Sequence, residues 1–175
     1  MTRGTEQKII SYISEPGGYA KAGELRAEGI HSSHIVQLVG SGTLVRLKRG
    51  LYALSRSEER SELVDIQRAV PAGVFCLGTA LSLHGIGTWE PAEIHLAIRR
   101  DYRIALPDFP PVKLFSFSGP RHELGIVEKA AEGGTLRVYD LEKTICDIIR
   151  FRNSFGLDIA MEALKEYLKL HGRNI

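Results

Sequence analysis

A chain of 175 residues, 43% hydrophobic and 25% charged, has the apolar material for one ordinary domain or for a small module joined to a medium one. It has no apolar run near the roughly 18 residues of a membrane span, and its opening lacks the charged-then-apolar order of a signal peptide, which points to a cytoplasmic protein with no membrane partner. The net charge of +2 divides unevenly: residues 1–56 carry eight Lys or Arg against four Glu, and the rest of the chain fifteen against seventeen acids, so the positive excess sits in the first third, a hint of a polyanion partner.

In chain order, Ile9, Ile10 and Ile13 recur at helical spacing over Glu6 to Ser14, and Pro16-Gly17-Gly18 stops that helix. A second short helix fits Ala22 to Glu28, anchored by Leu25 and stopped at Gly29. Ser32 or Ser33 is placed to cap a third, whose apolar stripe is Ile35, Leu38 and Val39 and which Gly40-Ser41-Gly42 closes. Thr43 to Arg46 and Leu51 to Leu54 read as strands around a basic turn. Three short helices and a hairpin are the chain order of a winged helix-turn-helix. Alternation in "LVRLKRGLY" then separates Leu44, Leu47 and Leu51 or Tyr52, packed inward, from Arg46, Lys48 and Arg49, aimed at phosphates. At about 100° per residue, Ser33 and Gln37 point most nearly away from the core, with Ser32 at the helix start and His34 on the flank. Ser33, His34 and Gln37 are the candidates for base edges, and Ser32 joins them among the DNA-binding residues; Gln pairs with adenine through two atoms, Ser is permissive and His ambiguous.

After Arg56, "SRSEERSELVDIQRAVP" reads as a charged connecting helix over 57–70, ended by Pro71. Val74 to Leu77 fits a buried strand and Gly78 to His84 a short helix capped by Gly85. In "EIHLAIR" Ile94, Leu96 and Ile98 alternate with His95, Ala97 and Arg99, as on a strand with one buried face. Val112 to Ser118 and Leu136 to Val138 are further strands, with a proline-rich surface loop before the first. Asp140 caps a helix to about Arg152, and Leu157, Ala160, Met161, Leu164 and Leu168 stripe a last one. The expected class is α+β: a winged helix-turn-helix over 1–56, then a mixed α/β domain over 57–175.

That second domain carries no phosphate-binding loop, no GxGxxG after a strand and no GxSxG turn, so no enzyme, catalytic residue or cofactor is expected. Asp147, between Lys143 and Arg150, is explained by helix-surface ion pairs. His84 and His95 read as structural. His31 and His34 lack a third ligand and Cys76 and Cys146 lie far apart, so no metal site is expected and both thiols read as buried and free.

These residues also carry a resemblance. "GYAKAGELRAEGIHSSHIVQLVGSGTLVRLKRGLYAL" resembles the N-terminal winged helix of AbiEi-type antitoxins, from type IV toxin-antitoxin and phage-defence operons. "VFCLGTALSLHGI", "EIHLAIRR", "FSGP" and "RVYDLEKTICDIIRFRNSFGLDIAMEALKEYL" resemble that family's second domain. The resemblance implies a transcriptional autoregulator bound to double-stranded operator repeats, compatible with a homodimer, and an antitoxin opposing a neighbouring nucleotidyltransferase toxin with or without direct contact. Family members often place basic residues where this chain has Ser32 and Ser33. A winged-helix protein-interaction module, or a stand-alone regulator without antitoxin activity, is the other reading of the same residues.

Overall fold

The computed structural model describes residues 3–14, 18–55, 61–87, 92–107, 109–170 and 172. The first third folds as α1 (Arg3–Ser14), β1 (Tyr19–Lys21), α2 (Ala22–Ala27), α3 (Ser32–Gly40), β2 (Leu44–Lys48) and β3 (Leu51–Leu54), the order of a winged helix-turn-helix. The three strands form an antiparallel sheet in the order β1-β3-β2. Three residues beside a glycine carry no periodicity, so β1 has no sequence signal; its pairing with β3, Tyr19 opposite Ala53 and Lys21 opposite Leu51, makes it a strand.

Both faces of this small sheet are covered. On one, Ala20 and Leu44 join Ile9, Ile13, Leu25, Ile30, Ile35 and Leu38 in the core beneath α1–α3, with Tyr52 and Leu54 packed against it. On the other, Tyr19, Leu47, Leu51 and Ala53 enter a second core shared with the rest of the chain. The expected helix over 57–70 is described from Ser61 onward: Ser61 caps α4 (Glu62–Ala69), and residues 56–60 lie outside the described residues. Despite its charges α4 is no exposed connector. Val64, Ile66 and Ala69 are buried against the small sheet on one side and Phe75, Leu96, Leu136 and Val138 on the other.

The remaining elements are β4 (Val74–Phe75), α5 (Leu77–His84), β5 (Ile94–Arg99), β6 (Val112–Phe117), α6 (Gly119–Glu123), β7 (Ile126–Ala131), β8 (Gly134–Tyr139), α7 (Leu141–Arg150), α8 (Arg152–Phe155) and α9 (Leu157–Leu170). The mixed sheet runs β6-β5-β4-β8-β7. Phe75 lies opposite both Leu96 and Val138, and these three face α4. Val74, Ala97 and Tyr139 face the other way, into a core closed by Leu81 of α5, Ile145 and Ile148 of α7 and Ala160 and Ala163 of α9. The class is therefore α+β, a winged helix-turn-helix followed by a mixed α/β domain.

The covered sheet corrects the expectation of one buried face on β5. His95, Leu96, Ala97 and Ile98 are all buried, because a strand between two layers has no solvent side. Asp147 is likewise no surface residue. It is buried and paired with an equally buried Lys143, whose ammonium also lies over the Phe117 and Tyr139 rings at 4.7 and 4.6 Å. Cys76 is buried as expected, and Cys146 is exposed.

Candidate nucleic-acid interface

The third helix is fixed from beneath by Ile35 and Leu38, 3% and 1% exposed, which set its phase on the core. Its cap is His31, neither of the expected serines. His31 Nδ1 accepts the backbone N–H of Ser33 at 3.4 Å and faces the Ser33 hydroxyl at 2.9 Å, so an imidazole nitrogen performs the acceptor role that a hydroxyl performs at most N-caps. Ser32 and Ser33 consequently stand in the first turn, both exposed. As the ring nitrogen is already the acceptor of the N–H, the Ser33 hydroxyl donates its proton to it and keeps only acceptor capacity for a ligand.

Gln37 is exposed on the same face, one turn on from Ser33. His34 is half-buried, its ring edge-on to His31 at 6.5 Å between centroids, and its Nδ1 is buried without a hydrogen-bond partner. That nitrogen is turned from solvent. Val36, an apolar residue outside the stripe of Ile35, Leu38 and Val39, is 69% exposed between Ser33 and Gln37. A helical wheel drawn only for polar residues hides an apolar side chain on the outer face.

The hairpin departs from strict alternation at one point. Arg46 pairs with Tyr52 but Lys48 pairs with Leu51, so Leu47 is the extra residue of a β-bulge. A slip of one residue moves every later side chain to the opposite face. Arg46 stays on the register of Leu44 and Tyr52, whereas Lys48 turns to the face of Leu51 and Ala53, toward α4. There its ammonium donates a hydrogen bond to the Ala69 carbonyl at the C-terminal end of α4. Lysine on a terminal helical carbonyl is favourable both as a hydrogen bond and for the helix dipole. Of the three cations expected on one phosphate face, Lys48 belongs to the joint between the modules; Arg46 and Arg49 are exposed. The tip is closed by Gly50 at φ +79°, and its carbonyl accepts the Ala22 N–H at 2.9 Å, tying the wing to the start of α2.

An open groove of about 590 Å³ runs between the small sheet and the second domain. The cations on its wall are engaged: Arg68 lies over the Tyr19 ring at 5.2 Å, Arg137 donates to the Pro71 carbonyl at 3.1 Å, and Lys21 pairs with Glu24 at 3.7 Å. Among the histidines and carboxylates read in the second domain, the His84 ring N–H donates to the Tyr139 carbonyl at 2.7 Å and Asp140 accepts the Lys143 N–H at 2.7 Å as the cap of α7. His95 packs edge-on against Phe115 and Phe155, at 5.2 and 5.3 Å, and burial, with a smaller push from Lys113, lowers its pKa to about 4. Among the described residues no group of three or more His, Cys, Asp or Glu is placed to hold a metal, and no helix is long and apolar enough to cross a membrane.

No curated protein matches the chain. A family model described as "Transcriptional regulator, AbiEi antitoxin" matches residues 7–55, from within α1 to one residue past β3. Over that segment, the winged helix-turn-helix at the head of the chain, the sequence is thus similar to the AbiEi antitoxin family of transcriptional regulators.

Proposed function

We propose that the chain is the antitoxin of a type IV toxin-antitoxin pair and the autorepressor of its own operon, with α3 in the major groove and the wing on the flanking backbone. The observation that carries the reading is the union of an exposed Ser32, Ser33 and Gln37 face on α3 with exposed Arg46 and Arg49 on the adjoining hairpin, in a segment that matches a regulator family. In this reading Gln37 meets a base edge, Ser32 and Ser33 accept from bases or contact the backbone, His34 lines the flank, and Arg46 and Arg49 neutralise phosphates. The second domain supplies the antitoxin activity against a nucleotidyltransferase toxin, and the protein acts in the cytoplasm on double-stranded operator repeats.

The decisive experiment measures binding of the full chain to DNA upstream of its own reading frame, and to a scrambled duplex, over a range of salt concentrations. A preference for the upstream duplex is expected. Replacing Arg46 and Arg49 by alanine should weaken binding to both duplexes and flatten the log-log salt slope by about 0.9 per lost contact. Gln37→Ala should cost about 1–3 kcal/mol on the upstream duplex alone. An unchanged slope in the double arginine variant removes the wing from the interface. Binding of a protein ligand with no response to salt or DNA favours the interaction-module reading.

A further inference from the structure

The outer face of α3 consists of Ser32, Ser33, Val36, Gln37 and Gly40, all exposed. Its polar members fit a solvated surface or a ligand equally well. Val36 does not. At 69% exposure it is among the most exposed large hydrophobic side chains described, and it stands in the middle of this face. The core beneath α3 does not need it, since Ile35 and Leu38 already close that side. The flanking positions leave it prominent: two serines lie toward the helix start, and at Gly40 an added methyl group would meet nothing within 4 Å. Val36 and Gln37 are therefore the two side chains that reach farthest from the face.

In a major groove the one apolar group on a base edge is the 5-methyl of thymine, and an aliphatic side chain is its natural contact. We infer that Val36 is a specificity-determining residue that packs on a thymine methyl group next to the base met by Gln37. The inference rests on the DNA-binding reading and deepens it. Gln37 supplies a hydrogen-bond code and Val36 a methyl code, so the preferred site holds a thymine beside an adenine.

The probe is the duplex that the full chain enriches from a random-sequence pool. Each thymine is replaced singly by deoxyuridine, which deletes the methyl group and leaves every hydrogen-bonding atom in place. At one or two positions the dissociation constant of the native chain should rise about three- to tenfold. Val36→Ala, at a solvent-facing helical site where alanine is the better helix former, should fold normally by circular dichroism. It should bind the thymine and uracil duplexes equally at those positions. If no uracil replacement weakens the native chain, or if Val36→Ala keeps full sensitivity, the assignment is overturned while DNA binding stands. If no duplex is enriched and binding ignores salt, the DNA-binding reading falls and the assignment with it.

Discussion

Two side chains show how local register and burial decide a residue's role. Lys48 is one of three cations in a four-residue span of sequence, yet the bulge at Leu47 delivers it to the Ala69 carbonyl. Lys48→Ala is therefore expected to cost about 1–2 kcal/mol of stability, read by urea denaturation, and to flatten the salt slope of DNA binding less than Arg49→Ala does. His95 is the second case. Its pKa near 4 lies below the ordinary 6.5, so between those values the unfolded chain takes up a proton that the folded chain refuses. Its contribution to stability is fully present above pH 6.5, declines as the pH falls toward 4 and levels off below. His95→Phe, which keeps a ring against Phe115 and Phe155, should flatten the loss of stability between pH 6.5 and 4, measured by denaturant midpoints. A slope unchanged by that substitution would assign the acid sensitivity elsewhere.

Among the elements, α4 joins the small sheet to the mixed sheet with a sequence whose charges conceal its burial. Gln67 donates to the carbonyls of Val70, Pro71 and Gly73 at 3.3, 3.4 and 3.1 Å and accepts the Arg137 N–H at 2.8 Å, fastening the end of the helix to β8. Gln67→Leu keeps the volume and abandons those groups; a loss of about 3 kcal/mol is expected in chemical denaturation, since each buried group left without a partner costs on the order of 1–3 kcal/mol. The helices of the first module were legible in the sequence because Ile9, Ile13, Leu25, Ile35 and Leu38 keep helical spacing on one core. The α4 helix was legible as a helix but not as a buried one: Asp65 and Gln67 look like solvent residues until Tyr19 donates its hydroxyl hydrogen to Asp65, at 2.7 Å, and the carbonyls beyond α4 find Gln67. Strand β7 gave no signal, because Glu128 and Lys129 interrupt its pattern, and register with β8 alone makes it a strand. In the candidate interface the outward phase of Ser33 and Gln37 could be read from the helical repeat. The redirected Lys48 could not, because a bulge is a property of the pairing rather than of either strand.

On the scale of the whole molecule, Leu47, Leu51 and Tyr19 of the first module share one buried cluster with Val64, Phe75, Leu96 and Val138. Unfolding of the full chain is therefore expected to be a single cooperative transition, with the wing and the mixed sheet lost at the same denaturant concentration when followed by separate probes. A fragment of residues 1–56 would face solvent with the apolar side of its sheet, and should unfold at lower denaturant or self-associate, as seen by gel filtration. Two well-separated transitions in the full chain would show that the modules stand independently.

The doubly covered small sheet also bears on how such a protein could be re-targeted. A transplant cut at residue 56 carries a bare apolar surface into its new host. One cut after Gly73 brings α4, whose opposite side then lacks Phe75, Leu96 and Val138. Neither piece is a self-sufficient cartridge. New operator preferences are better installed by exchanging the solvent-facing positions 32, 33, 36 and 37 of α3 in place, which leaves every shared core contact intact.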